Sequence, residues 1–291
     1  MTLILCTVAT HNEGYFDSLM DSCKKNKLNL KILGWNKKWK GFVWRFALIV
    51  NFLEKLKDDN IVCFIDGFDV LSLVDEKTII DKFSNFNSKI VVSCDNPANI
   101  IWNTLSLFYY GKCDGNQLNF GGYIGYVKYL KLLFKKMCEI HDCNKFDLDD
   151  QKILITTCNK TDFFKKYVKV DNDGLIFLNV FTDGLLLVNP IITENNKYFY
   201  FNKNNKLINK KTGKIPCFVH GPGFVNIDVI VNKYKLKKPI DKSTKKKIYK
   251  KVSTRIYKTI KKSLNFDVII SLLICLIVIF SFNRLNDAHP Q

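Results

Sequence analysis

Ile61-Val62-Cys63-Phe64-Ile65-Asp66-Gly67-Phe68-Asp69-Val70 is the stretch on which the fold turns. Its first five residues form a continuous apolar run of strand length. That run predicts an inner strand of a sheet covered on both faces. Asp66 falls at the carboxyl end of the strand, and Asp69 follows beyond Gly67. In open α/β sheets this edge is where ligands bind. Two acids across a tight turn can share a hard divalent cation, which in turn neutralises a diphosphate. Taken alone, the same pattern reads equally well as a capped, solvated turn.

The flanking sequence supports an α/β sheet. Residues 3–9 predict a first strand, ending in the polar turn Thr10-His11-Asn12-Glu13-Gly14 where a nucleotide could sit. A helix over 15–25 and a strand over 28–33 follow, then a loop at 34–41 carrying Trp35, Trp39 and three lysines. Phe46, Ile49, Val50, Leu53 and Leu56 recur at helical spacing, so 44–57 is an amphipathic helix. Beyond the acid strand come a helix over 75–86 and a strand over 89–93. This alternation predicts a mainly parallel sheet. No GxGxxG follows the first strand and no GxxxxGK[ST] occurs, which argues against a dinucleotide fingerprint and a P-loop.

The second half carries three marked stretches. Leu118-Asn119-Phe120-Gly121-Gly122-Tyr123-Ile124-Gly125-Tyr126 places a glycine pair before an alternating strand. It reads either as close backbone approach to a ligand or as a bulge. After a helix over 128–140, Asp147, Asp149 and Asp150 precede an apolar-periodic segment. They read either as an acidic helix N-terminus or as carboxylates facing a sugar or serving as base. Strands over 176–179 and 217–219 follow, the second running into His220-Gly221-Pro222-Gly223. A histidine at a strand end beside two glycines suits a metal or phosphate.

The 291 residues allow one large α/β domain plus an appendage. Net charge is +18, but 233–262 alone carries +13, so the remainder carries +5 and nucleic-acid binding is not expected. Ten cysteines include no CxxC pair. Cys138, His141 and Cys143 match no standard zinc spacing and are read as helix-end residues. Cys6, Cys63 and Cys94 lie in apolar strands as small hydrophobes. Unpaired thiols predict a reducing compartment, and the first residues lack the features of a secretory signal.

Several blocks occur in a fixed order: Thr7-Val8-Ala9-Thr10, Leu33-Gly34 with Trp39-Lys40-Gly41, the acid strand, the Leu118–Gly125 block, Asp149-Asp150-Gln151 and His220-Gly221-Pro222-Gly223. Over about residues 3–230 this order resembles the glycosyltransferase domain of the procollagen lysyl hydroxylase/glycosyltransferase family, in a stand-alone or viral version. The resemblance implies a GT-A-type fold, a Rossmann-like, mainly parallel sheet flanked by helices. It also implies Mn²⁺ and a UDP-glucose or UDP-galactose donor. Asp66, Asp69 and His220 would be the metal ligands, with Asp66 also counted among the donor-binding residues. Val43 would lie in the segment at the uridine, Gly221 and Gly223 at the diphosphate, and Trp102 near the sugar. Asp149 and Asp150 would be the catalytic acids. Two departures stand out: the acidic run is shorter than the family's, and Pro222 replaces the usual Asn. The hydroxylase region has no counterpart.

The implied reaction moves glucose or galactose to hydroxylysine or galactosyl-hydroxylysine on a collagen-like protein, and the reading leaves a homodimer open. The competing reading is a catalytically inactive, membrane-anchored binding protein with the same fold. The tail supplies the anchor in both. After the domain at 1–230, residues 231–263 read as a basic stalk or amphipathic helix, with Ile248, Val252, Ile256 and Ile260 at helical spacing. Residues 264–285 contain an uncharged run over 268–282 and read as a single-pass transmembrane helix, with a short tail at 286–291. The lysine-rich flank then places the catalytic domain on the cytosolic face.

Overall fold

The computed structural model describes residues 2–95, 100–143, 148–181, 192–223 and 225–239, with backbone alone at 100–102 and 105. The chain divides into Met1–Ile240 and Asp241–Gln291, and the first unit is described here. Its first part alternates as expected: β1 (Leu3–Val8), α1 (Phe16–Lys25), β2 (Leu30–Leu33), α2 (Trp44–Leu53), β3 (Ile61–Ile65), β4 (Val70–Ser72), α3 (Glu76–Asn85) and β5 (Ile90–Asp95). Then come α4 (Ile100–Tyr110), β6 (Gln117–Tyr126), α5 (Val127–Ile140), α6 (Asp150–Lys160), α7 (Phe163–Tyr167) and β7 (Val168–Asp171). The last part holds β8 (Phe177–Asn179), β9 (Phe199–Phe201), β10 (Leu207–Asn209), β11 (Phe218–His220) and α8 (Asp228–Lys233).

The main sheet has six strands in the order β2-β1-β3-β6-β5-β7. All are parallel except β6, which runs antiparallel between β3 and β5. The expected mainly parallel α/β sheet is therefore present. β3 is buried along its whole length because both faces are covered. Val62 and Phe64 pack with Phe46, Ile49 and Leu53 of α2 and with Leu130, Leu133 and Phe134 of α5. Ile61, Cys63 and Ile65 pack on the other side with Leu19 of α1 and with Ile79 and Phe83 of α3. A second sheet, β4-β11-β8, stands beside the first and carries its own apolar cluster.

Three expectations change. The glycine pair lies inside β6, not before it, where the register with β5 jumps from Val92–Tyr123 to Ser93–Asn119. Residues 120–122 therefore bulge away from β5 while Gly122 stays paired with Ile65 of β3. The cysteines are not all unpaired: Cys113 bonds to Cys158 and Cys138 to Cys143. The thiol argument for a reducing compartment is thereby lost. Cys138 and Cys143 sit within reach because α5 ends between them. Cys6, Cys63 and Cys94 are buried in strands, as expected.

At the carboxyl end, packing continues past residue 230. Val231 and Leu236 are buried in the third cluster, and the Lys237 N–H donates to Asp21 of α1. The rest of the expected stalk and the expected transmembrane helix lie outside the described residues. Among the described residues no helix is long and apolar enough to cross a membrane.

Candidate active site

The site grows from the end of β3. The Asp66 N–H donates to the Gly121 carbonyl at 2.8 Å, so this acid is still fixed to the sheet. The chain then turns tightly. A Cβ on Gly67 would stand 3.0 Å from Thr7 Oγ1, a tight contact that glycine avoids as the turn passes the end of β1. Asp69 leads into β4, which pairs antiparallel with β11 so that Val70 faces His220. The Gly221 N–H donates to the Asp69 carbonyl at 2.9 Å. Strand pairing thus brings together an acid and an imidazole far apart in sequence. His220 Nε2 lies 3.2 Å from Asp69 Oδ1.

One donor atom each from Asp66, Asp69 and His220 lie within 4.8 Å of one another. His220 is buried, and its Nε2 has no aligned hydrogen bond among the described residues. Its nearest polar neighbour is the Asp69 carboxylate, the same group that faces Asp66 in the cluster. Two carboxylates and an imidazole at this spacing fit a divalent cation. Burial alone would push the imidazole down, but Asp69, with Asp66 and Asp95 beyond it, carries His220 above its usual value. Space for the cluster comes from Gly121. A Cβ there would meet Asp66 Oδ2 at 2.6 Å and His220 Cε1 at 2.7 Å.

A buried arginine braces the acid. Arg45, in the first turn of α2, places Nη1 2.7 Å from Asp66 Oδ1. Its Nη2 forms a close ion pair with Asp150 Oδ2 and donates to the Phe120 carbonyl at 3.3 Å. The guanidinium also lies 5.2 Å from the Phe64 ring centre and 5.8 Å from that of Phe42. Burial pushes the Asp150 carboxyl up to about 6, although Arg45 pulls the other way. Behind His220, Asp95 Oδ1 accepts from Asn119 Nδ2 at 3.0 Å and Asn179 Nδ2 at 2.7 Å. Asp95 is likewise held at about 6, first by burial.

The profile of the PLOD GT domain family matches residues 1–238, most of the chain and all of the site just described. The chain belongs to the PLOD GT domain family. This PLOD GT domain is 27% identical over 241 residues to the multifunctional procollagen lysine hydroxylase and glycosyltransferase of Caenorhabditis elegans, covering 76% of this chain and 30% of that one. It is 27% identical over 170 residues to human procollagen-lysine,2-oxoglutarate 5-dioxygenase 2, covering 53% of this chain and 21% of that one. The chain thus spans less than a third of these curated relatives. Among solved structures it is similar to a glycosyltransferase involved in glycosylation of the PBCV-1 major capsid. That match has 12% identity, covers 81% of this chain and 100% of the other, and has a TM-score of 0.42. It is also similar to the galactosyltransferase LgtC, with 14% identity, coverage of 79% and 92%, and a TM-score of 0.41.

The PLOD GT domain gathers Asp66, Asp69 and His220 at one point. It separates the two acids expected at the sugar. Asp149 is the N-cap of α6, where its Oδ1 accepts from the Gln151 and Lys152 N–H groups. Asp150 is 4% exposed and turned to Arg45. Val43, just before α2, is 1% exposed and packs in the core, so its side chain does not line the surface. Gly221 follows His220 directly, where a Cβ would stand 2.9 Å from the Val225 carbonyl oxygen. Gly223 has φ +71°, a conformation that glycine adopts without strain. Trp102 falls in α4, and its side chain lies outside the described residues. Sequence reasoning missed Arg45. The signal was present: it is the sole charge in the otherwise apolar or neutral run of α2, where a charge is costly unless paired.

Proposed function

We propose that this glycosyltransferase domain moves glucose or galactose from a UDP-sugar to hydroxylysine or galactosyl-hydroxylysine on a collagen-like protein, with a divalent cation such as Mn²⁺. The observation that carries the reading is the convergence of one donor atom each from Asp66, Asp69 and His220. A cation on those three residues would supply positive charge beside the diphosphate leaving group. The chain's own residues do the rest. Arg45 holds Asp66 in place, and Gly121 leaves the volume in which its carboxylate and His220 converge. The turn through Gly221 and Gly223 follows His220 directly, where small residues let backbone approach phosphate oxygens. Of the two adjacent acids, Asp149 is the one that keeps some surface, at the head of α6, and on this reading it would be the one to meet an acceptor hydroxyl or the sugar. The acceptor class rests on family membership and on the names of the procollagen-modifying relatives.

The test is UDP release from UDP-glucose and UDP-galactose by the full chain, with and without Mn²⁺, beside Asp69→Ala and His220→Ala. Metal-dependent release, reduced at least ~100-fold in both variants, is the expected result. Failure to turn over either donor, together with failure to bind UDP, would overturn it.

A further inference from the structure

Asp150 is one of the most thoroughly buried acids of the chain, and its partner is a cation rather than solvent. Arg45 and Asp150 have side-chain exposures of 7% and 6%, against 32% for Asp66. One guanidinium therefore bridges a carboxylate at the end of β3 and another at the start of α6. It also donates to the Phe120 carbonyl of β6 and is flanked by the Phe42, Phe64 and Phe120 rings. The plane of the fork is fixed from several sides, which a flexible lysine would not allow.

The charges explain why a second acid is needed. With Arg45 on Asp66 Oδ1, the other oxygen, Oδ2, is left on the side of Gly121 and His220. A divalent cation drawing on the same carboxylate would face the positive charge of Arg45 through it. In a buried setting that repulsion is poorly screened. Asp150 supplies the compensating negative charge on the far side of the guanidinium.

We propose that Asp150 is a positioning residue that acts on the reaction through Arg45 and not through the sugar: the pair fixes Asp66 and offsets the arginine charge so that Asp66, Asp69 and His220 bind a cation. This rests on the cation reading given under Proposed function. It assigns the two adjacent acids different work. Asp149 caps α6 and keeps some surface, and Asp150 tunes the cation through Arg45.

The experiment is a double-mutant cycle on the full chain. Mn²⁺ binding is followed by the electron paramagnetic resonance signal of the free ion, in the presence of UDP. Folding is checked by circular dichroism. Asp150→Asn keeps the shape and removes the charge; it should weaken Mn²⁺ binding roughly 10–100-fold, the scale seen when a partner behind a metal ligand is lost. The Mn²⁺ concentration for half-maximal UDP release should rise with it, while the rate at saturating Mn²⁺ falls less. In an Arg45→Gln background the same change should leave Mn²⁺ affinity unmoved. If Asp150→Asn spares Mn²⁺ affinity and lowers only the saturated rate, Asp150 serves the sugar directly and the proposal is overturned. An equal loss of affinity with and without Arg45 overturns it too. Should Asp150→Asn not fold, Arg45→Lys takes its place, since an ammonium cannot fork between both acids. Weaker Mn²⁺ binding is then expected, and unchanged binding is fatal. Absence of Mn²⁺ binding by the native chain would remove the cation reading itself, a result distinct from all of these.

Discussion

Gly121 and Asp66 are so close that one methyl group on the glycine would stand 2.6 Å from the aspartate Oδ2. Asp66 cannot swing away, because Arg45 holds its other oxygen. Gly121→Ala should therefore displace the Asp66 carboxylate, a ligand in the proposed cation site, by a few tenths of an ångström or more and cut UDP release ~100-fold. Gly115→Ala is the control. That glycine has φ +80° and open space around it, so the change should cost about 1 kcal/mol of stability and leave release unchanged. Equal activity of the two variants would show that the notch at Gly121 is not needed.

Asp95 should make the metal-free chain less stable as pH rises. Burial holds its folded value at about 6, above its unfolded value. A raised carboxyl contributes stability below the unfolded value, and that contribution is lost as pH rises through the folded one. Asp95→Asn can keep both Asn119 and Asn179 as donors to its carbonyl oxygen. Urea unfolding in a chelator should show the variant gaining on the native chain between about pH 4 and 7, by up to about 3 kcal/mol. A constant difference over that range would place the ionised form comfortably in the folded state.

The two disulfides should differ in worth. Cys113 and Cys158 are 45 residues apart in sequence, whereas Cys138 and Cys143 are 5 apart. Closing the longer loop removes more unfolded-state freedom, about 4 kcal/mol against about 2 kcal/mol in the chain-entropy account. Non-reducing peptide mapping should find both bonds, and Cys113→Ser should lower the melting temperature more than Cys138→Ser. The reverse order would mean that native-state strain outweighs loop entropy.

Tyr15 ties the first strand's turn to the segment after His220. Its hydroxyl donates to Asp228 Oδ1 at 2.9 Å and accepts from the Ile227 N–H at 3.0 Å. Tyr15→Phe strips a partner from both, so a loss of about 1–3 kcal/mol is expected in chemical denaturation. Because the Tyr15 N–H still donates to the Phe68 carbonyl, the metal turn should keep its backbone anchor. A loss under 0.5 kcal/mol would mean that water substitutes for the phenol.

Legibility in the sequence followed the range of the interactions. β3 and its acids could be read because a continuous apolar run and the turn after it are local facts. His220 could be read locally only as suited to a metal or phosphate; its partnership with the two acids came from the resemblance, since Asp69 reaches it by β4–β11 pairing across 151 positions of chain. Asp149 and Asp150 could not be told apart. Neighbouring residues at a helix start point in directions ~100° apart, and only packing against Arg45 decides which is buried. β4 escaped notice because two apolar residues and a serine after an acid carry no periodicity. The Cys113–Cys158 bond joins the loop before β6 to the end of α6, a proximity that no spacing rule contains.

The antiparallel course of β6 has a consequence for how this domain can diversify. β5 ends and β6 begins at the same edge of the sheet, so the connection between them leaves and returns on the side of the metal cluster. Both ends of this excursion are fixed by the pairing of β5 and β6, and a third point is fixed by the bond from Cys113 to Cys158, so variation is cheapest in the part before Cys113. Asp66, Asp69 and His220 sit on the strand frame and its turns, outside this connection. Changes in this connection that keep Cys113 for its bond to Cys158 should therefore leave β5 and β6 in register.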